Sequence, residues 1–158
     1  MKKAFLLTLI TVAAATVALS QSDVHSVDFK NFTYEPSCAG ETPTKVRVKN
    51  GEYSKETKQD GYTDRFDFQV LAIEYGDVTG DGKDEAVILS NCNTGGTGQF
   101  SEGFVYTIRA GKPSLLARVP GGDRADGGLR SITVDGGDLV VEFNDPEKAA
   151  GAAVPRAS

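Results

Sequence analysis

Tyr75-Gly76-Asp77-Val78-Thr79-Gly80-Asp81-Gly82-Lys83-Asp84-Glu85-Ala86-Val87-Ile88-Leu89-Ser90 is the stretch on which the reading of this chain turns. Carboxylates stand at 77, 81, 84 and 85 and glycines at 76, 80 and 82, which is turn chemistry. Ala86 to Leu89 is then a short apolar run, too short for a helix and rich enough in branched residues to predict a strand. A carboxylate turn that feeds a strand points to a sheet, and the flanking sequence agrees. Upstream, residues 65–75 place Phe66, Phe68 and Val70 on one face and Leu71, Ile73 and Tyr75 on the other. That switch implies a bulge near Val70-Leu71 or burial of both faces.

Further out, residues 103–109 alternate, Ala110-Gly111-Lys112 turns the chain, and residues 114–119 return. Residues 129–134, the turn Asp135-Gly136-Gly137-Asp138 and residues 139–143 form the clearest hairpin. Val46 and Val48 lead to Asn50-Gly51, a pair that supplies the positive backbone angles of a tight turn before Tyr53. Val27, Phe29, Phe32 and Tyr34 read as a strand with a bulge or bend, and residues 54–64 as an exposed connection or one short helical turn. Gly95, Gly96 and Gly98 mark a loop over 91–101; it lacks the following Lys-Ser or Lys-Thr of a phosphate cradle and opens onto a strand. About eight strands and no helix predict an all-β domain (or a β-rich α+β one), a single antiparallel sheet domain, sandwich- or barrel-like, over 27–143.

At 158 residues with 39% apolar content and 18 glycines, the chain has the size of one turn-rich domain. Residues 1–20 divide as a secretory signal: Lys2 and Lys3, an apolar run over 4–19, and Ala18-Leu19-Ser20 for cleavage after Ser20. A membrane anchor is the competing reading, but the run is short for a span and polar sequence follows at once. Residues 21–26 then form a flexible lead-in, and residues 144–158, with no apolar pattern, a disordered tail. The expected location is therefore secreted or periplasmic, with no membrane span after cleavage. Loss of Lys2 and Lys3 takes the side-chain charge from −5 to −7. With no Lys/Arg cluster, that balance argues against nucleic acid and anionic lipid and suits cations. Any partner is extracytoplasmic and of unknown identity.

Cys38 and Cys92 are the only cysteines. An even number and an oxidising destination favour a disulfide, worth about 4 kcal/mol for a loop of this length; the alternatives are two buried thiols, or loss of a partner that a longer relative would supply. His25, the only histidine, has no visible partner for a zinc or triad role.

Calcium takes six to eight oxygens, and a short glycine-bearing loop supplies several when carboxylates recur at alternate positions. Asp77, Thr79, Asp81 and Glu85 fall at positions one, three, five and nine of such a loop, with the Lys83 carbonyl at seven. An EF-hand is excluded, because position twelve is Ile88 and a strand leaves the loop. The alternative is a purely structural turn in which Asp77 and Asp81 bond backbone amides.

The run from Gly76 to Ile88 resembles the calcium loop of FG-GAP/VCBS-type repeats, in which such a loop enters a β-strand. The resemblance covers one copy, so it does not imply a propeller. It implies calcium ligation by Asp77, Asp81, Glu85 and the Lys83 carbonyl; Thr79 stands where Asn or Asp is usual. A broader resemblance is to small exported bacterial proteins of the LppP/LprE lipoprotein type, through Asp77-x-Thr79-Gly80-Asp81-Gly82, the Glu85-Ala86-Val87 strand entry and the following Asn91-Cys92 and Gly-rich segment. That family implies no reaction. It implies a further strand after the last hairpin, which residues 149–158 do not supply.

The residues thus point first to a non-catalytic exported domain with a binding or structural role, with a calcium-binding loop at 77–85. The alternative is a secreted hydrolase in which Glu102, Asp123 and Asp126 converge on Asp81 to do acid and base work. A third reading is an inhibitor that offers a loop to a secreted enzyme.

Overall fold

The computed structural model describes residues 23–39 and 45–145. The expected signal over 1–20, Gln21 and Ser22 of the lead-in, and residues 146–158 of the expected tail lie outside them. Nine strands occur among the described residues: β1 (Thr33–Tyr34), β2 (Val46–Arg47), β3 (Glu52–Gln59), β4 (Tyr62–Gly76), β5 (Glu85–Asn93), β6 (Phe100–Arg109), β7 (Lys112–Asp123), β8 (Leu129–Asp135) and β9 (Asp138–Phe143). No α-helix is present among these residues, only four short 3₁₀ turns. The expected all-β antiparallel class holds.

β3 to β7 form one sheet in sequence order, every pair antiparallel. β1 pairs with β2, and β8 with β9, as separate two-stranded sheets. The sheets do not close into a barrel; the arrangement is layered. One face of the central sheet packs Ala86, Ile88, Cys92, Phe104 and Tyr106 against Val24, Phe29, Tyr34, Val46 and Val48 of the N-terminal segment. The other face packs Val87, Leu89 and Val105 against Leu129 and Ile132 of the β8–β9 hairpin. β5 lies in the middle and is buried on both sides, which a run of consecutive apolar residues permits.

The Cys38–Cys92 disulfide joins the N-terminal layer to β5. A ring of aromatic contacts reinforces the same seam: the Tyr34 centroid lies 5.3 Å from Phe68 and 5.4 Å from Phe104. The Tyr34 hydroxyl donates to the Phe29 carbonyl at 2.7 Å, and burial pushes its pKa far above the usual phenol range.

Local expectations hold where one face is buried. The bulge falls between Val70 and Ala72, the 103–119 and 129–143 hairpins form as β6–β7 and β8–β9, and Asn50 and Gly51 take φ of 52° and 85°. Three readings need correction. Residues 54–64 are not a connection: they complete β3, the Asp60-Gly61 turn and the start of β4, as a ribbon with polar residues on both faces and no alternation to reveal it. Residues 27–34 are not one strand, because Asp28 accepts from the Lys30 and Asn31 amides and turns the chain into a 3₁₀ segment at Phe29–Asn31. The 21–26 lead-in is not loose throughout: Asp23 caps a 3₁₀ turn at Val24–Ser26, and Val24 enters the core. At the other end, Asn144 is tied to the Gly128 carbonyl at 3.0 Å.

Candidate functional site

The carboxylate loop joins Gly76, the last residue of β4, to Glu85, the first of β5, and these two are paired across the ladder. Gly80 and Gly82 adopt φ of 76° and 80°, left-handed values that only glycine takes without strain. With them the backbone curls so that successive N–H groups point inward, an anion-binding concavity. The anion is the loop's own Asp77. Its Oδ1 accepts from the amides of Thr79 (3.2 Å), Gly80 (2.7 Å) and Asp81 (3.2 Å) and from the Thr79 hydroxyl (3.4 Å). Its Oδ2 accepts from the Gly82 amide at 2.8 Å. These bonds favour the ionised form, Gly82 most strongly, and hold the Asp77 carboxyl below the usual carboxylate range.

Asp81 Oδ1 accepts from the Lys83 amide at 2.9 Å. Glu85 differs from both. It is fully buried at 0% exposure, its Oε2 accepts from the Val78 amide at 3.2 Å, and its Oε1 has no hydrogen-bond partner. The donor atoms suit calcium in kind, being hard oxygens, but those of Asp77 are already taken up by the loop's amides. They do not stand together as a cage: among the described residues no group of three or more His, Cys, Asp or Glu is placed to hold a metal. The structural turn is what the geometry displays, closed by Asp77 through contacts within six residues.

His25 does acquire a partner. Its Nε2 lies 2.8 Å from Asp84 Oδ2, and its ring stacks on Tyr75 at 4.2 Å between centroids. The pair borders a cavity of about 360 Å³ lined also by Lys83, Thr107 and Ile108. With 59 positions separating them in the sequence, no spacing rule could have joined His25 to Asp84.

The four carboxylates of the hydrolase reading do not converge. Asp123 pairs with Phe100 and Phe100 with Cys92, seven residues along β5 from the loop, or about 24 Å at roughly 3.4 Å per residue. Asp123 there caps the 3₁₀ turn Arg124–Asp126, which places Asp126 at the same far end. Glu102 is engaged by the Ser37 amide and by Arg118, each at 2.9 Å.

At that far end the sheet carries carboxamides that residue types alone did not single out. Gln69 faces Asn91 across β4–β5, Asn91 Nδ2 donates to Gln99 Oε1 at 2.6 Å, and Asn93 Nδ2 donates to the Gly96 and Gly98 carbonyls. The sequence signal was available only as Gln/Asn at alternate positions of β5 and its neighbours.

A scan against protein-family models finds no matching family, and searches of curated proteins and of solved structures find no match. Among the described residues no helix is long and apolar enough to cross a membrane.

Proposed function

We propose that this chain is an exported, non-catalytic domain with a binding or structural role, in which residues 77–85 form a structural turn that also accepts calcium. The observation that carries the reading is the state of Asp77, whose two oxygens are committed to four backbone amides of its own loop and are thereby withdrawn from acid–base chemistry. The register that separates Asp81 from Asp123 supports the same conclusion. Export accords with the N-terminal sequence and with a disulfide, which persists in oxidising compartments. The likeness of the loop to FG-GAP/VCBS repeats, and of the chain to LppP/LprE-type proteins, rests on the residues quoted above.

Calcium is supported by Glu85 Oε1, a buried acceptor with no donor, since such a group is costly to leave unpaired. Asp77, Asp81, Glu85, Thr79 and the Lys83 carbonyl are the groups that would hold the ion, with Asp77 exchanging amide bonds of its own loop for it. Calcium at ten times its Kd is expected to stabilise a calcium-stripped sample by about 1.4 kcal/mol, a rise in Tm of about 5 °C for a domain of this size. The Glu85→Gln variant should lose that response. An unchanged Tm in millimolar calcium overturns the metal reading and leaves the structural turn.

A further inference from the structure

The face of the central sheet that bears the β8–β9 hairpin is divided in two. On β5, Val87 and Leu89 lie under the hairpin, packed with Leu129 and Ile132; Asn91 and Asn93, next on that face by the two-residue period, lie beyond it. β6 changes in the same way. A Cβ on Gly103 would stand 2.9 Å from Ile132 Cδ1, directly beneath the hairpin, while Ser101 is only half-buried.

The uncovered half is a walled groove. Two cavities of about 390 and 280 Å³ share Asn91 and Gln99 as lining. One wall is the 94–98 loop, which approaches β4 so closely that a Cβ on Gly95, at φ +92°, would lie 2.9 Å from the Arg65 carbonyl oxygen. The other is formed by Arg124 and Gly128. Leu71, pushed out by the bulge and 50% exposed, supplies an apolar rim.

The lining differs in chemistry from the other solvent-facing part of the sheet. The β3–β4 ribbon is covered with Lys55, Glu56, Lys58 and Asp64, whereas the groove presents Gln69, Asn91, Asn93, Gln99 and Ser101. Of its two arginines, Arg65 is neutralised by Asp67 at 2.7 Å and Arg124 stands singly in the opposite wall, while the Gln69 amino group donates to Glu52 at 3.4 Å and leaves its carbonyl to face the groove. A carboxamide offers an acceptor and two donors without charge. The Asn91 carbonyl and the Gln99 amino group make no hydrogen bond to the described residues, their one mutual bond using the opposite ends. An anionic ligand would need paired cations, and an extended peptide would be read by main-chain pairing at a strand edge; here the backbone of β4, β5 and β6 is already paired on both sides.

Uncharged donors and acceptors beside an exposed leucine match a ligand that alternates hydroxyl groups with C–H faces. We infer that this groove binds a neutral saccharide chain, with Gln69, Asn91 and Gln99 reading hydroxyls and Leu71 meeting a ring face. The inference rests on the binding role proposed above and narrows it to a ligand class, and it does not depend on calcium.

The test is NMR titration of the full exported chain with chitotetraose, maltotetraose and a penta-alanine peptide, followed at the side-chain amides of Gln69, Asn91, Asn93 and Gln99. Either saccharide at up to about 10 mM, in the affinity range of weak sites, is expected to shift these resonances and leave the Lys55 amide unmoved. Asn91→Ala and Gln99→Ala should each raise the Kd about tenfold; the wild-type shifts carry the test if a variant fails to fold. No shift with either saccharide overturns the inference. A shift with the peptide alone also overturns it while preserving a binding role.

Discussion

β5 and the outer β3–β4 ribbon belong to one sheet and are built from opposite materials. Glu85 to Ser90 of β5 are buried without exception, with Ile88 facing the N-terminal layer and Val87 the hairpin. In the ribbon, residues 54–58 and 60–65 are exposed, and its ladder runs in unbroken register from Glu52↔Gln69 to Gln59↔Tyr62. The difference separates two causes of strand structure. Backbone pairing closed by a suitable turn is enough to extend a ribbon from a sheet already formed, and only layers on both sides make a strand into a core.

The largest test of that contrast is the disulfide, which clamps the N-terminal layer onto β5. Reduction, or Cys38→Ser with Cys92→Ser, is expected to cost about 4 kcal/mol, read as a shift in denaturant midpoint; a loss below about 1 kcal/mol would mean that packing alone holds the layer. Ile88→Ala should cost about 3 kcal/mol through the cavity left under Phe29 and Tyr34. The entry to β5 is sharpened by pH. The Asp77 carboxyl titrates below its ordinary value in the folded state, so its ionised form contributes stability that is lost as the pH falls through that lowered value. Asp77→Asn should therefore melt below wild type at pH 7, with the gap beginning to close under about pH 4. A gap independent of pH would show that the amide nest is not holding a charge. The smallest effect belongs to the ribbon: Lys55→Ala should stay within about 0.5 kcal/mol of wild type.

Legibility in the sequence follows the same division. The strand over 65–75 was readable because it buries one face on each side of a bulge, and the bulge lies where the alternation switches. The ribbon was not, because water on both faces removes the pattern; its one signal was Asp60-Gly61, a two-residue turn of positive φ. The 3₁₀ turns were announced only by Asp23 and Asp28 as caps, a signal weaker than the apolar run around them. Of the candidate site, the Asp77 turn was legible and the burial of Glu85 was not.

The sequence by itself determined what lies within a few residues of its cause: the positive angles at Asn50-Gly51, the hairpin at Asp135 to Asp138, and the nest that closes on Asp77. Stereochemistry and short-range hydrogen bonds set these whatever the rest of the chain does. Only the tertiary structure decided that β5 is covered twice, that Glu85 keeps an unpaired oxygen in the interior, that His25 meets Asp84, and that the hairpin stops short of Asn91. Each of these depends on which layer reaches which part of the sheet, a matter of contacts between distant segments that no local pattern encodes.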